Sequence, residues 1–191
     1  MTNIIFTDMD GVIAKYERHA YTGDYSKDAS HENKPLFLRN PRYFATCKPD
    51  MIIIKAFELL NHEGVDIIVL SNVVNHAIAE KHATDKNEWI KKYIPFVKEF
   101  YPITVPKITF VTETLLKRSA TNTDILVSDY NNDLKPWEQG GGTGIKYLNG
   151  VNSPESFAGI KVSHEWTPEQ ITEKLLNTIK TNQIKIQGDK T

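Results

Sequence analysis

The chain contains 191 residues, of which 40% are hydrophobic and 25% charged, a composition typical of a globular protein with a buried core. Its formal net charge of −1 argues against a general nucleic-acid-binding protein, because no surplus of Lys and Arg is present to neutralise a phosphate backbone. The length favours one domain, with room for a small inserted subdomain.

Cys47 is the only cysteine, which excludes an intrachain disulfide and a zinc site made of several cysteines of one chain. The first residues, MTNIIFTDMD, have no basic start. Their apolar stretch is too short for a secretory signal or a membrane span. We therefore expect a cytoplasmic, reduced protein that does not contact membranes.

Four apolar stretches predict buried strands, at residues 3–7, 65–70, 107–111 and 124–128. They are rich in Ile and Val and do not alternate with polar residues, which is typical of a parallel sheet covered on both faces. A fifth stretch, at 144–148, follows a glycine cluster and predicts an outer strand.

Helical patterns lie between these strands. Apolar residues at helical spacing predict helices at 51–62, at 87–100 with a break at Pro95, and at 167–180. The polar tail from Thr181 is expected to fray. Strands that alternate with helices indicate an α/β fold, a Rossmann-like doubly wound parallel sheet with right-handed crossovers.

Residues 15–49 interrupt this alternation, because they are polar and lack a strong periodicity. In a doubly wound sheet, ligands bind outside the carboxyl ends of the strands, where this insertion begins. We therefore expect a catalytic core at 1–14 and 50–191 and a small cap at 15–49. Two interpretations are open for the cap's aromatic residues, which either stack on a substrate or form the cap's own core: Tyr16, Tyr21, Phe37, Tyr43 and Phe44.

Acidic residues follow two of the predicted strands. Asp8 and Asp10 stand in FTDMDGVIA, and Asp129 and Asp133 stand in ILVSDYNND. Parallel strands would bring these carboxylates to one edge of the sheet, where they repel one another unless a cation binds them. Mg²⁺ prefers such oxygen ligands. The alternatives are a solvated turn for the first pair and a helix cap for Asp133.

Candidate phosphate-binding groups follow from the same arrangement. Ser71 and Asn72 end the second predicted strand, although Ser71 could instead cap a helix. Lys117, in ETLLKRS, precedes the acidic strand and supplies a cation, with Lys107 and Arg118 as competing choices. A carboxylate nucleophile, Mg²⁺ and groups that bind phosphate oxygens are the parts required for phosphoryl transfer through an aspartyl-phosphate.

The order of these motifs resembles that of the haloacid dehalogenase-like phosphatases: Asp8-Met9-Asp10-Gly11-Val12, then Ser71, then Lys117, then Asp129 with Asp133. Within that superfamily, DMDGVIA, EWIKKY at 88–93 and WEQGGGTGIKYLN resemble the 5′(3′)-deoxyribonucleotidase family. The resemblance implies a Rossmann-like core with a cap after the first motif, Mg²⁺, and hydrolysis of nucleoside monophosphates. Two features depart from the family: Ser128 replaces a second acid, and the insertion is shorter than a helical cap.

The resemblance also implies a role for each matching residue. Asp8 would be the nucleophile and a Mg²⁺ ligand, and Asp10 would protonate the leaving group, activate water and bind the metal through its backbone carbonyl. Asp129 would be a third ligand, with Asp133 acting through water. The phosphoryl group would be held by Ser71, Lys117 and Asn72.

Three alternatives to a nucleotidase stay open. The chain could be a related phosphatase for a sugar phosphate, a phosphatase for a polynucleotide end, or a phosphate-binding protein without catalysis. The balanced charge does not favour the polynucleotide. We expect a small phosphomonoester as the partner, and the sequence is compatible with either a monomer or a homodimer.

Overall fold

The structure is a computed structural model. It describes residues 3–15, 17–24, 26, 28–40, 42–73, 78–112, 124–152 and 157–188.

A six-stranded sheet forms the centre of the fold, with every neighbouring pair of strands parallel. The strands are β1 (Asn3–Thr7), β2 (Val65–Asn72), β3 (Glu99–Ile103), β4 (Ile125–Ser128), β5 (Thr143–Leu148) and β6 (Ile160–Ser163). Their spatial order is β3-β2-β1-β4-β5-β6. The chain thus winds one way from β1 and then the other, so the reversal of strand order lies between β1 and β4, where doubly wound sheets bind ligands.

Seven α-helices accompany the sheet in the described ranges. They are α1 (Leu36–Arg39), α2 (Tyr43–Thr46), α3 (Met51–His62), α4 (Ala79–Tyr93), α5 (Lys107–Phe110), α6 (Asn131–Gln139) and α7 (Pro168–Gly188).

Apolar residues of the strands pack on both faces of the sheet. Ile5 and Val69 face a core shared with α3, α4 and α7. Phe6 and Leu70, their neighbours in β1 and β2, face a second core shared with α5 and α6. This packing confirms the predicted α/β fold with a parallel sheet covered on both sides.

Local capping fixes where the main helices begin. The Asp50 carboxylate accepts a hydrogen bond from the Ile52 N–H and caps α3. At α7, Thr167 and Gln170 exchange reciprocal hydrogen bonds, with Pro168 as the first helical residue. This is a capping box, and it explains why the predicted helix start at 167 lies within one residue of the observed one.

Several predicted elements are wrong. Residues 107–111 begin with helix α5 instead of a strand, because the chain turns at Pro106 and a short apolar run does not distinguish helix from strand. The predicted helix at 87–100 is α4 followed by β3. The helix ends before Ile94, because the residue that precedes a proline disfavours the helical conformation.

Two further predictions fail near the C-terminus of the chain. The stretch at 144–148 is β5 and has β6 beyond it, so it is not an outer strand. The tail from Thr181 continues α7 as far as Gly188. Within the described ranges, no helix combines the length and apolar character needed to cross a bilayer.

A cap region lies between β1 and α3. It contains two 3₁₀ helices, Arg18–Tyr21 and His31–Asn33, in addition to α1 and α2. Its ends meet where Ala14 pairs with Pro49 and the Lys15 N–H donates to the Lys48 carbonyl at 2.7 Å. A separate small cluster forms its interior, made of Ala20, Phe37, Tyr43 and Phe44. Phe37, Tyr43 and Phe44 are therefore core residues of this region, whereas Tyr16 lies outside the described residues.

Candidate active site

The predicted acids meet at the carboxyl edge of the sheet. Asp8 directly follows β1, and Asp129 directly follows β4, which is the parallel neighbour of β1. A cavity of about 370 Å³ opens at this edge, lined by Asp8, Asp10, Tyr21, Asn72, Lys107, Asp129, Tyr130, Asp133 and Asn152. All four acids from the two acidic motifs therefore surround one cavity.

Gly11 makes the close approach of the two motifs sterically feasible. Its φ is +80°, in the left-handed region that favours glycine. A Cβ atom there would stand 2.2 Å from Asp129 Oδ2, which is a severe overlap. The glycine behind Asp10 is thus required both by the turn and by contact with the second acidic strand end.

Burial is the main influence on the pKa values of Asp8 and Asp129. It raises the pKa of Asp8 to about 7; the Lys107 ammonium opposes this, whereas Asp133, Asp10 and Asp129 add to it. Burial also raises the pKa of Asp129 to about 6, against the amides of Asn149 and Asn152. The nearby donors therefore compensate only part of the negative charge, and a bound cation would be favoured here.

These pKa shifts predict the stability of the metal-free protein. A carboxyl with a folded pKa above its ordinary value of 3.8 binds its proton more tightly in the folded state. Its stabilising contribution is therefore full below about pH 4 and is lost as pH rises through about 6 and 7. We expect the free energy of unfolding, measured with urea, to fall as pH rises over this range. The fall should be less steep in the double variant Asp8→Asn/Asp129→Asn. Equal pH slopes in both proteins would contradict these shifts.

Lys107 supplies positive charge directly to the cavity. Its Nζ lies 2.7 Å from Asp133 Oδ2, 3.1 Å from Asn72 Oδ1 and 3.3 Å from Asp8 Oδ2. Burial opposes the charged lysine, but Asp8 and Asp133 outweigh it and raise the pKa of Lys107. Lys107 is thus the lysine observed in the cavity, whereas Lys117 and Arg118 lie outside the described residues.

Lys86 of α4 is a second buried ammonium, which the sequence prediction missed. Its Nζ donates to Asp10 Oδ2 at 2.6 Å, to Ser71 Oγ at 2.8 Å and to the Asn72 carbonyl at 2.9 Å. It also lies 4.2 Å from the ring centroid of Phe44 in the cap region. Three acceptors match its three N–H donors, so the hydrogen-bonding capacity of the Lys86 ammonium is filled by protein groups.

A signal for Lys86 was present in the sequence. Lys86 precedes Trp89 and Ile90 by three and four positions, and therefore lies on the same buried face of α4. A lysine in an apolar helical stripe needs a buried partner. The predicted helix begins at residue 87, so Lys86 lies outside its pattern.

The two residues at the end of β2 have different surroundings. Asn72 lines the cavity, and its side-chain oxygen accepts a hydrogen bond from Lys107. The Ser71 side chain is fully buried, and its hydroxyl accepts from Lys86. Ser128 also stands near an acid, since its hydroxyl donates to Asp133 Oδ2 at 3.2 Å.

The donor set fits Mg²⁺. Within the part of the chain that the structure describes, no three His, Cys, Asp or Glu side chains form a metal-binding group by themselves. Mg²⁺ does not require one, since it binds through one or two carboxylates together with waters and substrate phosphate. Asp8 and Asp129 could supply the carboxylates, because both line the cavity and follow the paired strands β1 and β4.

Comparison with family models and with curated protein sequences gave no match. Solved structures do match: a haloacid dehalogenase-like family hydrolase from Streptococcus pneumoniae has a TM-score of 0.61 at 13% identity, covering 91% of this chain and 98% of that one. A D,D-heptose 1,7-bisphosphate phosphatase from Burkholderia thailandensis has a TM-score of 0.56 at 13% identity, covering 91% of this chain and 98% of that one.

The corresponding phosphatase from B. bronchiseptica, in complex with magnesium and phosphate, has a TM-score of 0.53 at 14% identity, covering 92% of this chain and 98% of that one. At these identities the likeness concerns the fold. The chain therefore has the haloacid dehalogenase-like fold, with a six-stranded parallel sheet and a cap region between β1 and β2.

Proposed function

We propose that the protein is a Mg²⁺-dependent phosphatase that hydrolyses a phosphomonoester through an aspartyl-phosphate on Asp8. The observation that carries this proposal is the cavity in which Asp8, Asp10 and Asp129 meet Lys107. A carboxylate nucleophile, a second carboxyl for proton transfer and cationic groups for the phosphoryl oxygens are the requirements of this chemistry. The shared fold with two bisphosphate phosphatases supports the same reaction class.

The contacts of Asp8 support different roles for its two carboxylate oxygens. Oδ1 accepts the Met9 N–H at 2.7 Å, while Oδ2 faces Lys107 at 3.3 Å. Oδ2 would attack phosphorus as the bond to the leaving oxygen breaks, and protonated Asp10 would give that oxygen its proton. Asp10 would then take a proton from the water that attacks phosphorus, which releases phosphate and restores Asp8.

The cationic groups would stabilise the charge on the transferring group. Lys107 stands beside the attacking oxygen and would neutralise phosphoryl oxygens, with Asp133 and Asn72 holding its ammonium. Asp8, Asp129 and the Asp10 carbonyl would hold Mg²⁺, which neutralises phosphate charge when bound. Ser71 would act through Lys86, and a contribution from Lys117 stays a prediction.

A 5′- or 3′-(deoxy)nucleoside monophosphate is the substrate we propose. The sequence resemblance to the deoxyribonucleotidases supports it, and so do Tyr21 from the cap region and Tyr130 after β4, which give the cavity two aromatic walls. Residues 15–49 would act as the substrate-selecting cap. A sugar phosphate is the second candidate, since the two bisphosphate phosphatases with this fold act on heptose phosphates.

A substrate panel tests this proposal. We expect the purified protein with Mg²⁺ to release phosphate from mononucleotides faster than from sugar phosphates or 3′-phosphorylated oligonucleotides. Thorough chelation should abolish release, and Mg²⁺ should restore it. Preference for a sugar phosphate would overturn the nucleotidase assignment alone. Tight phosphate binding without hydrolysis of any substrate would instead indicate a non-catalytic phosphate-binding protein.

A further inference from the structure

Two amide side chains from the loop after β5 bind the Asp129 carboxylate. Asn149 Nδ2 donates to Asp129 Oδ2 at 2.9 Å. Asn152 Nδ2 donates to the same oxygen and also, at 3.3 Å, to the Asp129 carbonyl. Both amides therefore donate to the same carboxylate oxygen, Oδ2.

Asn149 also connects two separate loops of the site. The same Nδ2 group donates to the Gly11 carbonyl at 2.9 Å, in the turn that carries Asp10. Its Oδ1 accepts the Val151 and Asn152 N–H groups at 2.9 and 3.1 Å. Two acceptors on one side and two donors on the other fix the orientation of the amide, because a flipped amide would lose all of them.

Lys146 of β5 holds the backbone of the same acid. Its buried Nζ donates to the Asp129 carbonyl at 2.9 Å and to Asn131 Oδ1 at 2.7 Å. Asp129 is therefore bound at its carbonyl and at one carboxylate oxygen by side chains from one strand and the loop that follows it.

We propose, on the basis of the Mg²⁺-dependent phosphatase function above, that Asn149 is a positioning residue that sets the direction of the Asp129 carboxylate and its distance from the Asp10–Gly11 turn. Asn152 is a second donor in the same role. Neither amide touches the reacting atoms in this assignment. Together they present Oδ1 of Asp129 to the metal, while Oδ2 stays within the protein.

Loss of Asn149 should weaken metal binding more than it weakens the fold. Without it, Asp129 Oδ2 keeps only the Asn152 amide as a side-chain donor among the described residues, and the two loops lose a shared hydrogen bond. Removal of a group that orients a metal ligand lowers metal affinity by about 10–100-fold. High Mg²⁺ should restore kcat, and KM for the phosphomonoester at saturating Mg²⁺ should stay close to wild type.

Titration of the metal-free 191-residue chain with MgCl₂ alone, monitored by calorimetry, tests this role. We expect Asn149→Ala to bind Mg²⁺ about 10–100-fold more weakly than wild type, and Asn152→Ala to show a smaller loss. Asn61→Ala is the matched control, because Asn61 donates an amide hydrogen bond to the Val65 carbonyl at the opposite edge of the sheet. Its Mg²⁺ affinity should equal that of wild type.

Each outcome has a defined meaning. A folded Asn149→Ala that binds Mg²⁺ as tightly as wild type would overturn the positioning role and leave the phosphatase proposal intact. If Asn149→Ala fails to fold, Asn149→Ser and Asn152→Ala are judged by the same criterion. A wild type that does not bind Mg²⁺ would overturn both proposals, whereas one that binds Mg²⁺ but hydrolyses nothing would overturn the phosphatase function.

Discussion

Asp8→Asn is expected to lower turnover by about 10⁴-fold or more, because it removes the proposed nucleophile while keeping the shape of the side chain. The fold should survive the change. Burial already raises the pKa of Asp8 to about 7, so a neutral amide suits this position better than an ionised carboxylate. Metal-free Asp8→Asn should therefore be at least as stable as wild type at about pH 8.

Asp66→Asn is the matched control for this substitution. Asp66 lies near the start of β2, at the edge of the sheet opposite the cavity, where it pairs with Lys98. Its loss should leave steady-state turnover unchanged. If Asp8→Asn, purified free of wild type, retained turnover within about tenfold of wild type, the nucleophilic role would be wrong.

Lys86→Met is expected to have the second largest effect. The ammonium donates to Asp10 Oδ2, so in the proposed mechanism Lys86 would orient the Asp10 carboxyl toward the leaving group. Acid–base catalysis by a positioned side chain contributes about 10²–10⁴-fold to the rate, and Asp10 would lose its position without Lys86. We therefore expect kcat to fall by up to about this factor, with little change in KM. The free energy of unfolding should fall by about 3–5 kcal/mol, because the Asp10 carboxylate loses its partner.

Lys91→Met separates this effect from a general loss of charge on α4. Lys91 is an exposed lysine of the same helix, and its replacement should alter neither kcat nor stability. A rise in KM with unchanged kcat in Lys86→Met would instead show that Lys86 binds substrate. An unaltered enzyme would show that the three Lys86 contacts have no functional role.

The central part of the fold could be predicted from the sequence because local signals are strong there. The run at 3–7 is apolar on both faces and ends at Asp8, so both its burial and its end are visible in the residues. The same applies to the strand before Asp129. Once these strands are taken as parallel, the meeting of Asp8 and Asp129 at one edge follows from topology.

The edges of the sheet could not be predicted in the same way. β3 is half-exposed and contains Pro102, and β6 has only four residues, Ile160–Ser163. Natural edge strands are often short, or carry charged residues and proline, so they lack the continuous apolar run of a central strand. Their position depends on packing against β2 and β5, which a local pattern does not reveal.

The supporting residues of the site depend on contacts far apart in the chain. Lys86 and Asp10 are 76 positions apart, and Asn149 and Gly11 are 138 positions apart. Helical spacing marks Lys86 as buried but does not identify Asp10 as its partner, and Asn149 carries no local signal for its contact with Gly11. The choice between Lys107 and Lys117 was open for the same reason, since only the fold brings Lys107 beside Asp8.

Chemical trapping of the phosphoenzyme tests the role of Asp8 most directly. The protein with Mg²⁺ and its best substrate is quenched in acid during turnover, reduced with borohydride and digested for mass spectrometry. An acyl phosphate is reduced to an alcohol, so homoserine at position 8 is the expected result, absent when substrate is omitted. Rapid phosphate release with unmodified Asp8 in every quenched sample, or with homoserine at another aspartate, would contradict the proposed mechanism.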